Sequence, residues 1–325
     1  MDNSIIINNN EKIYYISQAV DMKIKKVALI GMGAVGTVYG NLLYNKYGSD
    51  FTVISDESRK SKLEKNGFTI NGKTFHPNIS SNSDNNIEYD LIIFAVKNYQ
   101  LAGAIEDVRS FVGKNTILIT FLNGVIARDI IQEAYPDNKV LYGLSMKIDA
   151  VRNETGVVNT ADGTIHFGEA DNRVISEEVQ AVKDCFDDAG IENIVFPDMI
   201  RMYWKKFMLN VGINQVTAAT RANYGKVTNI ETSLILFREA MGEVLAIAKA
   251  LNIDLREEDI DEFVALMSHF APNSKTSMLQ DVEAKRKTEV DYFGGTVVEL
   301  GKKLNIPTPV NHVLYCIIKS MEALY

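Results

Sequence analysis

Lys206, Asn210 and Asn214 recur at i, i+4 and i+8 in a stretch otherwise rich in apolar residues: Trp204, Phe207, Met208, Leu209, Val211 and Ile213. On a helix that spacing lines an ammonium and two carboxamides along one stripe. Such a stripe is unfavourable to bury without partners, and asparagine is a poor helix former, so plain solvation is a weak reason for it. Lys206 offers a cationic acid, and the asparagines offer hydrogen-bonding clamps. Further on, the run 276–281 opens another helical pattern with Ser277 at the expected N-cap. A cap is reason enough for a serine, although an anion also binds well at a helix N-terminus. Glu289 follows 12 residues later, about three turns on and so near the same face. Taken alone it would be a surface carboxylate.

Two strand ends carry polar groups that could bind a ligand. Lys97 follows the apolar run 89–96, and Asn123–Gly124 follows the run 116–121. In open α/β sheets, ligands bind beyond the carboxyl ends of the strands. Asn-Gly is also ordinary turn chemistry. Both strand ends fall along the same expected crevice.

The element that would hold a cofactor in that crevice begins at Val27. An apolar run leads into Gly31, Met32, Gly33, Ala34, Val35 and Gly36, spaced G-x-G-x-x-G. Val35, Val38, Tyr39, Leu42 and Leu43 then recur at helical spacing. Strand, tight turn and helix follow. Gly31 permits the turn, Gly33 lets a pyrophosphate approach the backbone, and Gly36 lets the helix pack on the strand. The helix N-terminus would face the phosphates with free N–H groups. The second strand, 51–55, ends in Ser55 and Asp56, with Arg59 and Lys60 close behind. An acid facing the ribose selects NAD, whereas serine and basic groups welcome the extra phosphate of NADP. This order contains both chemistries.

Around these residues the chain alternates strand and helix patterns, with strands expected at 68–70 and 74–75 (a hairpin about Asn71–Gly72), 89–96, 116–121, 140–145, 163–168 and 194–196. A helix is expected at 176–189. That alternation predicts an α/β fold with a doubly wound parallel sheet. After Pro197 no good strand remains. Helices are expected at 199–215, 230–251, 258–268, 278–294, 295–304 and 309–324, forming a second, all-helical domain. The expected division is therefore an N-terminal extension over 1–21, loosely ordered, with Met22 a candidate start; a dinucleotide-binding domain over 22–197; and a helical substrate domain over 198–325.

A chain of 325 residues suits two domains, and its net charge of −8 argues against general nucleic-acid binding. Cys185 and Cys316 lack metal-type spacing and read as buried thiols of a reducing compartment. His76, His166, His269 and His312 share no motif, so no metal site is expected. No apolar run is long enough for a membrane span and no signal peptide is visible, which points to the cytoplasm. The long helical region could support a homodimer.

Together the Gly31–Gly36 fingerprint, Lys97, Asn123–Gly124, the Lys206–Asn210–Asn214 stripe, the run 277–281 and the T-E-x-D segment 288–291 resemble ketopantoate reductase (2-dehydropantoate 2-reductase). The resemblance covers the chain from about Met22 onward. It implies a Rossmann-like fold with a helical domain and the NADPH-dependent reduction of ketopantoate to D-pantoate, a step toward pantothenate and coenzyme A. By position, Lys206 would protonate the ketone oxygen as hydride arrives, and Glu289 would hold the substrate hydroxyl. Asn210, Asn214 and Asn123 would hydrogen-bond substrate or cofactor, and Ser277 would take the carboxylate. One departure stands out. Many relatives carry Arg where this chain has Asp56, so NADP(H) is favoured but NAD(H) stays open, with Arg59 and Lys60 as substitutes. Two rival readings follow: an NADH-dependent D-2-hydroxyacid dehydrogenase of the D-mandelate type, acting on bulkier 2-oxo acids, and a non-catalytic dinucleotide sensor.

Overall fold

The structure, a computed structural model, describes residues 6–9, 12–15, 22–84, 87–267 and 271–325. Strands β1 (Ile6–Asn9) and β2 (Lys12–Tyr15) pair antiparallel as a two-stranded ribbon. Otherwise the stretch expected to be a loosely ordered extension lies outside the described residues, as does His269.

Every residue of β3 (Val27–Ile30) is buried, because helices cover both faces of the sheet. Val27 and Leu29 join a core with α1 (Ala34–Tyr47), whereas Ala28 and Ile30 point to the opposite core. Strand β4 (Phe51–Ile54) follows, then α2 (Glu57–Asn66), β5 (Phe68–Ile70), β6 (Lys73–Phe75) and β7 (Asn78–Ser80). The expected hairpin is present. Asn71 and Gly72 both take positive φ, 47° and 76°, as a tight two-residue turn between right-twisted strands requires.

Next come β8 (Leu91–Phe94), α3 (Leu101–Val108), β9 (Ile117–Thr120), α4 (Ala127–Ala134) and β10 (Val140–Met146). Helices α3 and α4 contribute to the core on the face away from α1. The wrapping is thus on both sides, as a doubly wound sheet demands.

The chain then makes β11 (Asp149–Asn153), β12 (Gly156–Ala161), β13 (Thr164–Gly168), α5 (Glu177–Asp188) and β14 (Asn193–Val195). The main sheet has the order β14-β13-β10-β9-β8-β3-β4-β7. It is not wholly parallel, since β13 runs antiparallel to β10. Only the β11–β12 hairpin separates β10 from β13. Without a crossover helix the chain re-enters at the edge it left and must run backwards. Helix α5 supplies the crossover that lets β14 run parallel to β13. An unexpected second sheet, β11-β12-β5-β6, packs against α1.

Helix α6 (Met199–Thr220) opens on Asp198, whose side chain accepts from Arg201 N at 2.9 Å. After it come α7 (Tyr224–Asn229), α8 (Glu231–Ala250), α9 (Glu257–Met267), α10 (Ser277–Glu283), α11 (Gly294–Leu304) and α12 (Pro309–Glu322). Helix α6 is the axis of this half. Its Phe207, Met208 and Val211 share one core with Phe237 and Met241 of α8, Val297 of α11 and Leu314 of α12. Gly212 sets the approach of α8, for a Cβ there would sit 2.7 Å from the Phe237 ring. Among the described residues no strand follows β14.

The helix expected over 278–294 is not continuous. Helix α10 ends at Glu283, and Lys285 turns left-handed at φ 51°. Arg286 N then bonds to Asp281 O at 2.8 Å and Lys285 N to Val282 O at 3.2 Å, which closes a Schellman cap. That stop moves Glu289 off the helix and onto the residue before a short 3₁₀ turn, Val290–Tyr292.

Candidate active site

The turn between β3 and α1 shows why each glycine stands where it does. Gly31 has φ +102°, and a Cβ there would come within 2.6 Å of the Ala95–Val96 backbone at the end of β8. At Gly36 a Cβ would collide with the Gly31 carbonyl oxygen. Gly33 differs, since nothing lies within 4 Å of its added Cβ. The outer two glycines serve the fold, and the middle one borders open space. Helix α1 also has no acidic residue in its first turn and no side chain capping it. Met32, Ala34 and Val35 complete an uncharged turn. These residues fit a dinucleotide pyrophosphate. Gly36→Ala should push the turn apart, costing about 1–3 kcal/mol by overpacking. Thermal unfolding together with dinucleotide titration would register it. A variant that keeps both values would remove the packing role given to Gly36.

At the end of β4, Ser55 is buried and its hydroxyl donates to the Asp56 carbonyl at 3.1 Å. Asp56 is the N-cap of α2, accepting from Arg59 N at 3.1 Å, and it also pairs with the Arg59 guanidinium. The hydrogen bond from Ser58, with help from Arg59, holds the Asp56 carboxyl below its usual range. Lys60 pairs with Asp84. Both cations that could receive a 2′-phosphate are therefore matched by carboxylates.

The remaining residues gather where the helical half meets the carboxyl edge of the sheet. Lys206 is half-buried on α6, and its ammonium donates to the Ser145 carbonyl of β10 at 2.8 Å. Burial lowers its pKa to about 8, against the opposing pull of the Glu289 charge. One and two turns along, Asn214 Nδ2 lies 3.4 Å from Asn210 Oδ1, and Asn214 Oδ1 accepts from Ser277 Oγ and Met278 N, each at 3.3 Å. The stripe thus runs from the ammonium to the start of α10. Ser277 is not the cap of that helix. Thr276 is, accepting from Leu279 N at 3.2 Å and meeting Thr217 Oγ at 2.7 Å. With the capping role taken by its neighbour, the Ser277 hydroxyl turns to Asn214.

Glu289 is almost fully buried, at 4% exposure, and is not the surface carboxylate of a helix face. Its Oε1 accepts from Asn98 N at 3.1 Å and Asn98 Nδ2 at 2.9 Å, and Lys97 Nζ reaches its Oε2 at 3.3 Å. Lys97 also reaches Asp281 Oδ2 at 3.2 Å, while Arg286 Nε donates to Asp281 Oδ1 at 2.9 Å. Burial opposes the Lys97 charge, but the two carboxylates outweigh it and raise its pKa above the ordinary value. Lys97, expected at the cofactor, bridges the two halves through these two carboxylates. Asn123 contributes its carbonyl, which accepts from Asn98 Nδ2 at 2.9 Å.

Helix α12 fixes the segment that carries Glu289. Glu322 accepts from Thr288 N at 2.7 Å and Thr288 Oγ at 2.6 Å, and Lys319 and Tyr315 each bind Asp291 at 3.0 Å. Three participants escaped the sequence reading. Asn98 sits beside Lys97 and Asp281 lies within the 277–281 run, so adjacency alone could have pointed to both. Arg152, which donates to the Met32 carbonyl at 2.7 Å, had no local signal. His166 has a buried, unpaired Nδ1, and burial foremost, then the Lys206 and Lys147 charges, pushes its pKa to about 4. It is a neutral neighbour near neutrality.

A half-buried ammonium beside carboxamide and hydroxyl donors can polarise a carbonyl and donate a proton to it. Among the described residues no group of His, Cys, Asp and Glu is placed to hold a metal ion, and no helix is long and apolar enough to cross a membrane.

Comparison with known proteins matches two family descriptions: "Ketopantoate reductase PanE/ApbA" over residues 27–172 and "Ketopantoate reductase PanE/ApbA C terminal" over 198–322. An uncharacterised oxidoreductase of Bacillus subtilis, YkpB, is 27% identical, with 92% of this chain and 99% of that protein covered. A 2-dehydropantoate 2-reductase of Pyrococcus horikoshii is 28% identical, covering 92% of this chain and 98% of that protein. Among solved structures, D-mandelate dehydrogenase with NADH and anilino(oxo)acetate superposes with a TM-score of 0.82 at 23% identity, covering 92% of this chain and 98% of that one. At that identity the likeness is one of fold.

Proposed function

Since the chain belongs to the ketopantoate reductase family, we propose that it reduces 2-dehydropantoate to D-pantoate, with NADPH as the favoured reductant. The observation that carries this reading is the Lys206 ammonium, held by the Ser145 carbonyl at the head of a polar stripe that runs through Asn210 and Asn214 to Ser277. Glu289, some 80 residues further on, is held by Lys97 and Asn98, and its charge acts on the Lys206 ammonium. A bound nicotinamide would supply hydride to the keto carbon. As negative charge builds on the keto oxygen, the Lys206 ammonium stabilises it and transfers a proton to it, and the lysine regains that proton from water. Ser277 Oγ and Met278 N–H receive the substrate carboxylate, with Asn210 and Asn214 as further donors. Glu289 accepts from the substrate hydroxyl, and Asn123 borders the nicotinamide end.

A lowered lysine pKa suits this work, because a proton donor is most effective when its pKa lies near the working pH. Asp56 favours a second reading. Its carboxylate follows β4 and is paired with Arg59, an arrangement that suits NADH-dependent reduction of a bulkier 2-oxo acid. Initial rates with ketopantoate, and with an aromatic 2-oxo acid, would be compared using NADPH and NADH at equal concentration. The pantoate reading expects fastest turnover with ketopantoate and NADPH. Turnover confined to the aromatic acid with NADH would replace it with a D-2-hydroxyacid dehydrogenase.

A further inference from the structure

We propose that Arg152 is a phosphate clamp for the bound dinucleotide, reaching the glycine turn from the accessory sheet. This rests on the dinucleotide reading and adds to it a residue far outside the fingerprint. Arg152 lies on β11, whose sheet packs along α1 and delivers the guanidinium to the N-terminal end of that helix. One N–H donates to the Met32 carbonyl at 2.7 Å, an oxygen that Thr37 Oγ also approaches at 3.3 Å. The carbonyl so anchors the edge of the guanidinium on the turn itself. An arginine has five N–H donors in a fixed fork, so a single anchoring bond leaves donors for an anion.

Charge balance points the same way. A dinucleotide pyrophosphate brings two negative charges to a turn whose own residues are all uncharged. Helix α1 offers only about half a positive charge at its N-terminus. Lys97, Arg59 and Lys60 are each matched to a carboxylate. No carboxylate is paired with Arg152 among the described residues. The open space beside Gly33 leaves room for the anion at the same turn. Arg152 thus carries a charge that the protein does not balance, at the place where the ligand would balance it.

The test is equilibrium binding of NADH and of NADPH to the full-length protein, read by nicotinamide fluorescence, for wild type, Arg152→Lys, Arg152→Gln and Arg152→Ala. A charge-assisted contact with phosphate should cost about tenfold in Kd when lost. Gln retains a donor for the Met32 carbonyl but no charge, so it should bind as poorly as Ala, while Lys recovers part of the affinity. A purely structural role would give the reverse order, with Gln recovering and Lys not. Equal losses for both nucleotides place the clamp on the pyrophosphate, and a loss confined to NADPH places it on the 2′-phosphate. Unchanged Kd values for all variants, or recovery by Gln alone, would overturn the assignment. Wild type binding neither nucleotide would sink the dinucleotide reading itself, an outcome distinct from wild type binding well with Arg152→Ala unaffected.

Discussion

Lys206→Ala is expected to lower the rate of 2-oxo acid reduction by about 10²–10⁴-fold, the range of a positioned proton donor, while dinucleotide affinity changes little. The asymmetry follows from geometry. The ammonium is held by the Ser145 carbonyl of β10, on a helix that does not form the glycine turn. Burial weakens the charged state of this lysine, so its removal relieves a desolvated charge and should leave thermal stability unchanged or raised. Arg would not substitute, because a guanidinium does not give up its proton in a protein. Steady-state kinetics beside nucleotide titration separates the two effects. A variant that binds the nucleotide and turns over near the wild-type rate would remove Lys206 from the chemistry. Wild type that binds a nucleotide but reduces no 2-oxo acid would favour the sensing role.

Glu289→Gln should fall second in severity, with kcat/KM for the 2-oxo acid down by about 10²-fold and a telltale shift in pH dependence. The carboxylate accepts from Asn98 N, Asn98 Nδ2 and Lys97 Nζ, so an amide of the same shape keeps only part of that set. Its negative charge also opposes the burial that lowers the Lys206 pKa. Without that charge the pKa should drop further below about 8. The alkaline loss of reduction in Glu289→Gln should therefore begin at a lower pH than in wild type. A pH–rate profile superimposable on the wild type would mean that the two groups do not interact.

Much of this was legible because it is local. The G-x-G-x-x-G spacing, the apolar runs of β3, β8 and β9 and the polar stripe of α6 are patterns within one element, and the structure keeps them. What escaped depends on distant partners. Strands β11 and β12 are half-exposed and carry no continuous apolar run; they exist because Val157 finds Ile70 across the chain. Arg152 was hidden with them. The sequence puts Glu289 on one continuous helix three turns after Ser277, and the structure breaks that helix before it. Lys285, not glycine, closes the Schellman cap that ends α10, and a lysine in the left-handed region gives no warning in sequence. The cap of α10 went to Thr276 rather than Ser277 because both residue types cap well, and only the Thr217 contact separates them. Asp56 was ambiguous for a related reason: acid and base sit three residues apart, and the helix start joins them to each other.

The central claim, that Lys206 gives its proton to the carbonyl oxygen, is tested most directly by kcat/KM for reduction and for the reverse oxidation from about pH 6 to about pH 10. Reduction needs the ammonium, so it should hold steady below the Lys206 pKa of about 8 and fall tenfold per pH unit above it. Oxidation needs the free amine and should rise through the same range. A reduction rate that stays flat to the alkaline end, or that rises there with the oxidation rate, would contradict the assignment of Lys206 as the proton donor.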